Sequence, residues 1–214
     1  MIMTIWRFWQ KKDPVFHSQV NGQITIGKSY RKTTLFVNNI PQSGGEYVFM
    51  WKKVLKSLDE SIFQPKNCLV LGVGGGTVMK ELINNYPLLN IKGVEIDPVM
   101  IQIGQKHFGL ESHKNIEIVA QDAVGFIAKE NGRKYDLIIV DLYLGLFNPP
   151  SIRSKAFLKN LKRLMKKNGY VFYNSHYQKI KHDEYENFTN LISTIFRKVE
   201  EVFAYPRNRV LKLS

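Results

Sequence analysis

The sequence predicts an α/β fold: a doubly wound, mainly parallel seven-stranded sheet with a small β piece ahead of it. Three observations predict this. From Asn67 onward, apolar strand-like runs alternate with segments of helical periodicity. The first run, Cys68-Leu69-Val70-Leu71, empties into Gly72-Val73-Gly74-Gly75-Gly76-Thr77, a glycine turn that opens a helix. The second run, Ile91 to Val94, ends on Glu95, roughly 20 residues beyond that turn. Strand, glycine turn, helix, strand and acid, in that order, describe half of a nucleoside-binding site. Residues without side chains let backbone N–H groups approach a ligand at a helix N-terminus, and the acid can accept hydrogen bonds from a ribose hydroxyl pair.

The elements follow in order. Between Gln19 and Ile40, the β-branched runs Gln23–Ile26 and Thr33–Val37 predict two short strands. Pro41 to Gly45 breaks that pattern. Tyr47, Trp51, Val54, Leu55 and Leu58 then recur at helical spacing, predicting a helix over 46–58. Strands are predicted near 68–71, 91–95, 116–120, 136–140 and 170–174, and helices near 77–85, 98–107, 122–130, 151–166 and 181–196. Asp97-Pro98 supplies an N-cap and a first-turn proline, and Asn168-Gly169 reads as a C-cap. Val199–Ala204 and Arg209–Leu213 predict a closing antiparallel hairpin around Pro206. The division is residues 1–45, an N-terminal segment with a small β hairpin, and 46–214, the nucleoside-binding domain.

Composition narrows the classes. The chain has 214 residues and a net charge of +13. Its basic residues are widely spread, however, and the group Lys155, Lys159, Lys162, Arg163 and Lys166 forms the wet face of a helix whose apolar stripe includes Leu158, Leu161 and Leu164. Nucleic acid is therefore a conceivable partner and not the favoured one. Cys68 is the sole cysteine, inside a core strand, so neither a disulfide within the chain nor thiolate metal ligation is expected, and a reducing, cytoplasmic setting is. No run approaches the roughly 18 apolar residues that span a bilayer. Met1 to Lys12 lacks the features of a signal peptide. Its aromatics Trp6, Phe8 and Trp9 read as packing on the domain, and could pair protomers in a homodimer.

In such a sheet a ligand lies outside the carboxyl ends of the strands. The residues found there are Gly72 to Gly76, then Glu95 with Ile96 and Asp97, then Asp122-Ala123, then Asp141-Leu142-Tyr143. Asp122 can cap its helix and also accept from an adenine amino group, while Ala123 offers its backbone N–H. Asp141 follows four apolar residues, Leu137 to Val140, at the mouth of a buried strand. Glu95 has no obvious partner in the sequence nearby. His176 follows the fifth strand and reads as packed. The histidines show no metal spacing, so no metal is expected. Phe147-Asn148-Pro149-Pro150 lies too far beyond its strand to match the Asn-Pro-Pro-aromatic tetrapeptide of DNA and protein amide methylases, and reads as a turn into the next helix.

The segments Leu69–Leu82, Val94–Gly104, Ile116–Ile127 and Tyr135–Gly145 resemble the spermidine/spermine synthase family of class I adenosylmethionine-type transferases, which share a Rossmann-like sheet. The resemblance implies that Gly72, Gly74, Gly75 and Gly76 surround the methionine-derived part of the cofactor. It implies that Glu95, flanked by Ile96, binds ribose, and that Asp122 with Ala123 binds adenine. Asp141 would deprotonate an amine nucleophile, with Tyr143 and Leu144 shaping the acceptor side. Departures matter as much. The family carries Gly-Gly-Gly-Asp-Gly in the turn, where this chain has Gly75 in place of the Asp. It favours Asp-Ser-Ser-Asp after the fourth strand, where this chain has Leu144 in place of the second acid. Its Tyr-Gln pair for polyamines corresponds to Phe49-Met50. A diamine desolvated without its anchors loses several kcal/mol. The expectation is therefore transfer of a methyl group from S-adenosylmethionine to a small acceptor such as an amine. The alternatives are aminopropyl transfer from decarboxylated S-adenosylmethionine, and a non-catalytic module working through its basic surface.

Overall fold

The computed structural model describes residues 14–144, 147–176, 182–205 and 208–214. Trp6, Phe8 and Trp9, and the hairpin tip at Pro206, lie outside the described residues.

The N-terminal piece is a four-stranded antiparallel sheet of β1 (Val15–Ser18), β2 (Gly22–Ser29), β3 (Lys32–Val37) and β4 (Ile40–Gly44), paired in that order. Asn38 and Asn39 take positive φ values of 48° and 64°, which asparagine tolerates, so β3 reverses into β4 within two residues. The stretch expected to break the pattern, Pro41 to Gly45, is mostly strand β4. Because β4 is an edge strand, a proline without an N–H is accommodated. The short strand β1 was not expected either; four residues carry too little periodicity to announce themselves.

The remaining elements are α1 (Gly45–Leu55), β5 (Asn67–Leu71), α2 (Thr77–Asn85), β6 (Asn90–Glu95), α3 (Pro98–Phe108), β7 (Ile116–Ala120), α4 (Ala123–Lys129), β8 (Tyr135–Val140), α5 (Lys155–Leu164), β9 (Met165–His176), α6 (His182–Ser193), β10 (Val199–Tyr205) and β11 (Asn208–Leu213). The seven strands stand in the order β10-β11-β9-β8-β5-β6-β7. Strands β9, β8, β5, β6 and β7 are parallel neighbours, and β11 runs antiparallel between β9 and β10. The expected mainly parallel sheet with a closing hairpin is the sheet observed.

Side-chain alternation explains why the central strands are apolar throughout. Leu69, Leu71, Ile138 and Val140 face one core with Phe157, Leu161 and Ile192 from the helices. Cys68, Val70, Leu137 and Ile139 face the other with Trp51, Val54, Met79 and Leu82. Both faces of β5 and β8 are covered by helices, so every one of these positions is fully buried. A third cluster joins Ile24, Leu35 and Val37 of the N-terminal sheet to Met100, Ile103 and Phe108 of α3.

The segment from 151 to 176 differs from expectation. A 3-10 turn, Pro150–Arg153, comes first, and the α-helix starts after Ser154, whose hydroxyl accepts from Phe157 N at 3.2 Å. The helix ends at Leu164 rather than 166, and the next strand begins at once. Asn168-Gly169 is therefore inside β9, not a C-cap. A Cβ on Gly169 would sit 2.8 Å from the Asp136 carbonyl oxygen and 3.1 Å from that of Tyr135, where the β8–β9 register shifts. This glycine lets a bulge press against its neighbour.

Asp97 fastens the N-terminal sheet to the larger one. It caps α3, accepting from Val99 N at 2.9 Å, and its other oxygen accepts from Asn21 Nδ2 at 2.6 Å and from the Ser18 hydroxyl. The capping role was legible in Asp97-Pro98; the tie to the β1–β2 turn was not.

Candidate active site

A cavity of about 240 Å³ opens at the carboxyl ends of the parallel strands, beneath β4 and α1. Its wall begins at the glycine turn. Gly72 has φ +86°, and a Cβ there would lie 2.2 Å from the carbonyl oxygen of Asp141. Only glycine allows the first and fourth strand exits to touch in this way. Asp141 N donates to Leu71 O at 2.8 Å, which completes the contact. The turn and the acid predicted on separate strands thus become neighbours.

Glu95 lines the same cavity and is buried. The sequence left it without a partner; the fold gives it three. Its Oε2 accepts from Val73 N at 2.9 Å and Gly74 N at 3.0 Å, and its Oε1 accepts from Asp97 N at 3.1 Å. Burial pushes its pKa up, the three N–H groups oppose that, and the Asp97 charge adds to it. Each carboxylate oxygen has two lone pairs, so Oε1 keeps capacity for a further donor. Asp122 caps α4, accepting from Gly125 N at 2.7 Å, and lines the cavity with Ala123. Ile96 is half-exposed on the same wall.

Asp141 forms the acidic centre. Its Oδ1 accepts from Asn174 Nδ2 at 2.8 Å, and the Trp51 side chain donates to the same carboxylate. Burial raises its pKa to about 6 despite these two donors, with a further push from the charge on Glu95. Asn174 extends a network: its Oδ1 accepts from Asn208 Nδ2 at 3.0 Å, and that amide also donates to the Tyr143 hydroxyl at 2.9 Å. Burial holds the Tyr143 phenol well above its usual range. The His176 ring packs edge-on against Tyr143, with centroids 4.6 Å apart.

Asn148, within the run expected to be a mere turn, pins this arrangement. Its amide donates to Leu142 O at 2.8 Å and to Asn174 O at 3.3 Å, and its oxygen accepts from His176 N at 2.7 Å. It ties the exit of β8 to the end of β9.

The structure gathers Gly72, Gly74, Glu95, Ile96, Asp122, Ala123, Asp141, Tyr143 and Leu144 around one cavity. Gly75 and Gly76 stand behind it. Gly76 is the N-cap of α2, and a Cβ on Gly75 would come within 2.9 Å of Ser43 Oγ. Phe49 and Met50 are the exception. They line a separate, adjoining groove of about 790 Å³ with Tyr30, Phe203 and Tyr205. Helical periodicity is the reason: α1 brings Tyr47 and Trp51, one turn apart, to the Asp141 cavity and carries 49 and 50 past it. Sequence reasoning missed Ser43, Tyr47, Trp51, Thr77, Asn148, Asn174 and Asn208. Trp51 and Tyr47 were read as helix stripe, and nothing local marks Asn208. Asn174 is the last residue of the strand predicted over 170–174 and reads there as sheet. Among the described residues no group of three or more His, Cys, Asp or Glu side chains could hold a metal ion, and no helix is long and apolar enough to cross a membrane.

A doubly wound sheet with an antiparallel penultimate strand, a glycine turn after its first strand and acids on the next three strand ends defines a Rossmann-like α/β architecture. The comparisons with known proteins make this specific. The Spermine/spermidine synthase domain model matches residues 49–208, and the chain belongs to that family. A polyamine aminopropyltransferase of Vibrio vulnificus is 32% identical over 114 residues, covering 52% of this chain and 38% of the relative. An eEF1A lysine and N-terminal methyltransferase homolog of Drosophila melanogaster is 29% identical over 117 residues, covering 51% of this chain and 17% of the relative. The chain thus spans well under two thirds of these relatives. A probable spermidine synthase from Corynebacterium glutamicum has a similar structure, with a TM-score of 0.77 at 17% identity, covering 94% of this chain and 79% of that one.

Proposed function

We propose that this chain is an S-adenosylmethionine-dependent transferase that moves a methyl group to a small acceptor such as an amine. One observation carries the choice of group. At position 75, where the resemblance places an acid suited to a cationic aminopropyl tail, there is a glycine, and Ser43 packs against it too closely for a side chain. The acids beside the turn are Glu95, whose Oε2 is occupied by two backbone N–H groups, and Asp141, whose carboxylate accepts from Asn174 and Trp51. The first turn of α2 presents a positive dipole end, which suits a carboxylate rather than a lone ammonium.

The donor fits the residues present. Glu95 would take the ribose through the capacity left on Oε1, and Asp122 with the Ala123 N–H the adenine. The glycine turn would hold the methionine tail. The sulfonium supplies a good leaving group, so the protein's task is alignment: the acceptor nitrogen attacks the methyl carbon as the carbon–sulfur bond breaks. Asp141, anionic above about pH 6, receives the proton that the nitrogen releases. Trp51 and Asn174 fix that carboxylate, and Tyr143 and exposed Leu144 form the acceptor side.

A second reading, aminopropyl transfer, is favoured by the likeness to the Vibrio relative. Calorimetric titration with S-adenosylmethionine and its decarboxylated form separates the two. Methyl transfer expects tighter binding of the carboxylated donor. Tighter binding of the decarboxylated one, with a spermidine product from putrescine, would reverse the assignment.

A further inference from the structure

We propose that the hydroxyls of Ser43 and Thr77 form a carboxylate-selecting pair, so that β4 of the N-terminal sheet helps decide which adenosyl donor the cavity accepts. The inference rests on the adenosyl reading above and names the groups that read the donor's tail.

Three observations support it. First, Ser43 stands on the glycine turn itself: a Cβ on Gly74 would lie 3.9 Å from its Oγ, and one on Gly75 only 2.9 Å. Ser43 therefore fills the space that a side chain at 75 would need, and Phe108 Cδ2 lies 3.3 Å from the same point. Second, both residues line the cavity although they are only 3% and 7% exposed. Third, the pair has a proton to spare. Ser43 Oγ and Thr77 Oγ1 are 2.7 Å apart, and Thr77 Oγ1 also accepts from Gly44 N at 2.6 Å. Two hydroxyls carry two protons, and their mutual bond uses one. Among the described residues the other has no acceptor. Whichever hydroxyl holds it, that donor belongs to a buried residue lining the cavity at the N-terminus of α2, and a buried donor without an acceptor is costly.

A ligand carboxylate satisfies that donor; an ammonium cannot. The α-carboxylate of adenosylmethionine or adenosylhomocysteine meets both the hydroxyl proton and the positive end of the helix. Decarboxylation removes the acceptor and leaves a cation facing donors. Gly75 and Ser43 are complementary: the serine occupies the space that a side chain at 75 would enter.

The test uses ligands that differ only in the tail. Calorimetry with 5′-methylthioadenosine, adenosylhomocysteine and decarboxylated adenosylmethionine is run on the unaltered chain, Ser43→Ala and Thr77→Val, with Thr77→Ser as the conservative control. We expect Ser43→Ala and Thr77→Val each to weaken adenosylhomocysteine about tenfold. Methylthioadenosine, which lacks the tail, should stay within twofold, also reporting that the variants are folded. Thr77→Ser should retain adenosylhomocysteine binding. Equal weakening of both ligands, or no change in either, overturns the inference while leaving the adenosyl reading in place. No binding of methylthioadenosine to the unaltered chain overturns both.

Discussion

Asp141, the proposed proton acceptor, sets function against stability. A carboxyl whose pKa is raised from 3.8 to about 6 in the folded chain is held there most easily when protonated. Its contribution to stability is therefore most favourable below pH 4, declines as pH rises towards 6, and is a full penalty at neutral pH, about 3 kcal/mol. Asp141→Asn removes the charge, keeps an oxygen for one donor and deprives the other of its partner, at a cost of about 1 kcal/mol. We expect the variant to be more stable than the parent by about 1–2 kcal/mol at pH 7.5 and no more stable at pH 4, measured by urea unfolding at both values. Transfer should fall by at least about 100-fold, as the loss of a general base does. In the unaltered chain kcat/KM should climb through an acid limb near pH 6; a profile flat across that range would exclude Asp141 as the proton acceptor.

At the scale of elements, strand exits and not strand interiors assemble the site, and small residues set how closely exits approach. Gly72 permits contact with Asp141, and Gly169 permits the bulge that lets β9 follow α5 without a loop. Gly169→Ala should destabilise by about 1–3 kcal/mol, because its Cβ meets backbone carbonyls that cannot rotate away. A chemical denaturation midpoint unchanged from the parent would show that β8 and β9 can separate to admit it. The sequence read Asn168-Gly169 as a helix end because the local signal for a C-cap and for a β-bulge is the same small residue after the same polar one. Only the pairing partner distinguishes them, and that partner, Tyr135–Asp136, lies more than one element away.

At the scale of the molecule, two sheets share one cavity, and Asp97 and the Ser43–Thr77 pair join them. Asp97→Ala leaves the donors of Ser18, Asn21 and Val99 without their acceptor, a loss of about 2–4 kcal/mol. It should also loosen the β1–β2 turn, seen as faster proteolysis between Ser18 and Asn21, and weaken adenosyl-ligand binding because Asn21 and Ser43 line the cavity. Unaltered proteolysis would mean that the apolar cluster of Ile24, Leu35, Met100 and Phe108 holds the sheets together without it.

The sequence by itself determined the sheet, the glycine turn and the acids at 95, 122 and 141. These depend on periodicity and on short-range order, and a buried parallel strand must be apolar throughout whatever its neighbours are. The tertiary structure alone decided which side chains meet. Trp51, Asn174 and Asn208 come from a helix, a strand end and a hairpin far apart in the chain, and they converge on Asp141 and Tyr143 because the winding of the sheet brings their backbones together. Hydrogen bonds act over about 3 Å of space, not along the chain, so their partners have no signature in local order. The same reason places Tyr47 and Trp51 at the Asp141 cavity and Phe49 and Met50 at the adjoining groove: spacing fixes that a helix has faces, and only packing fixes which face meets which hollow.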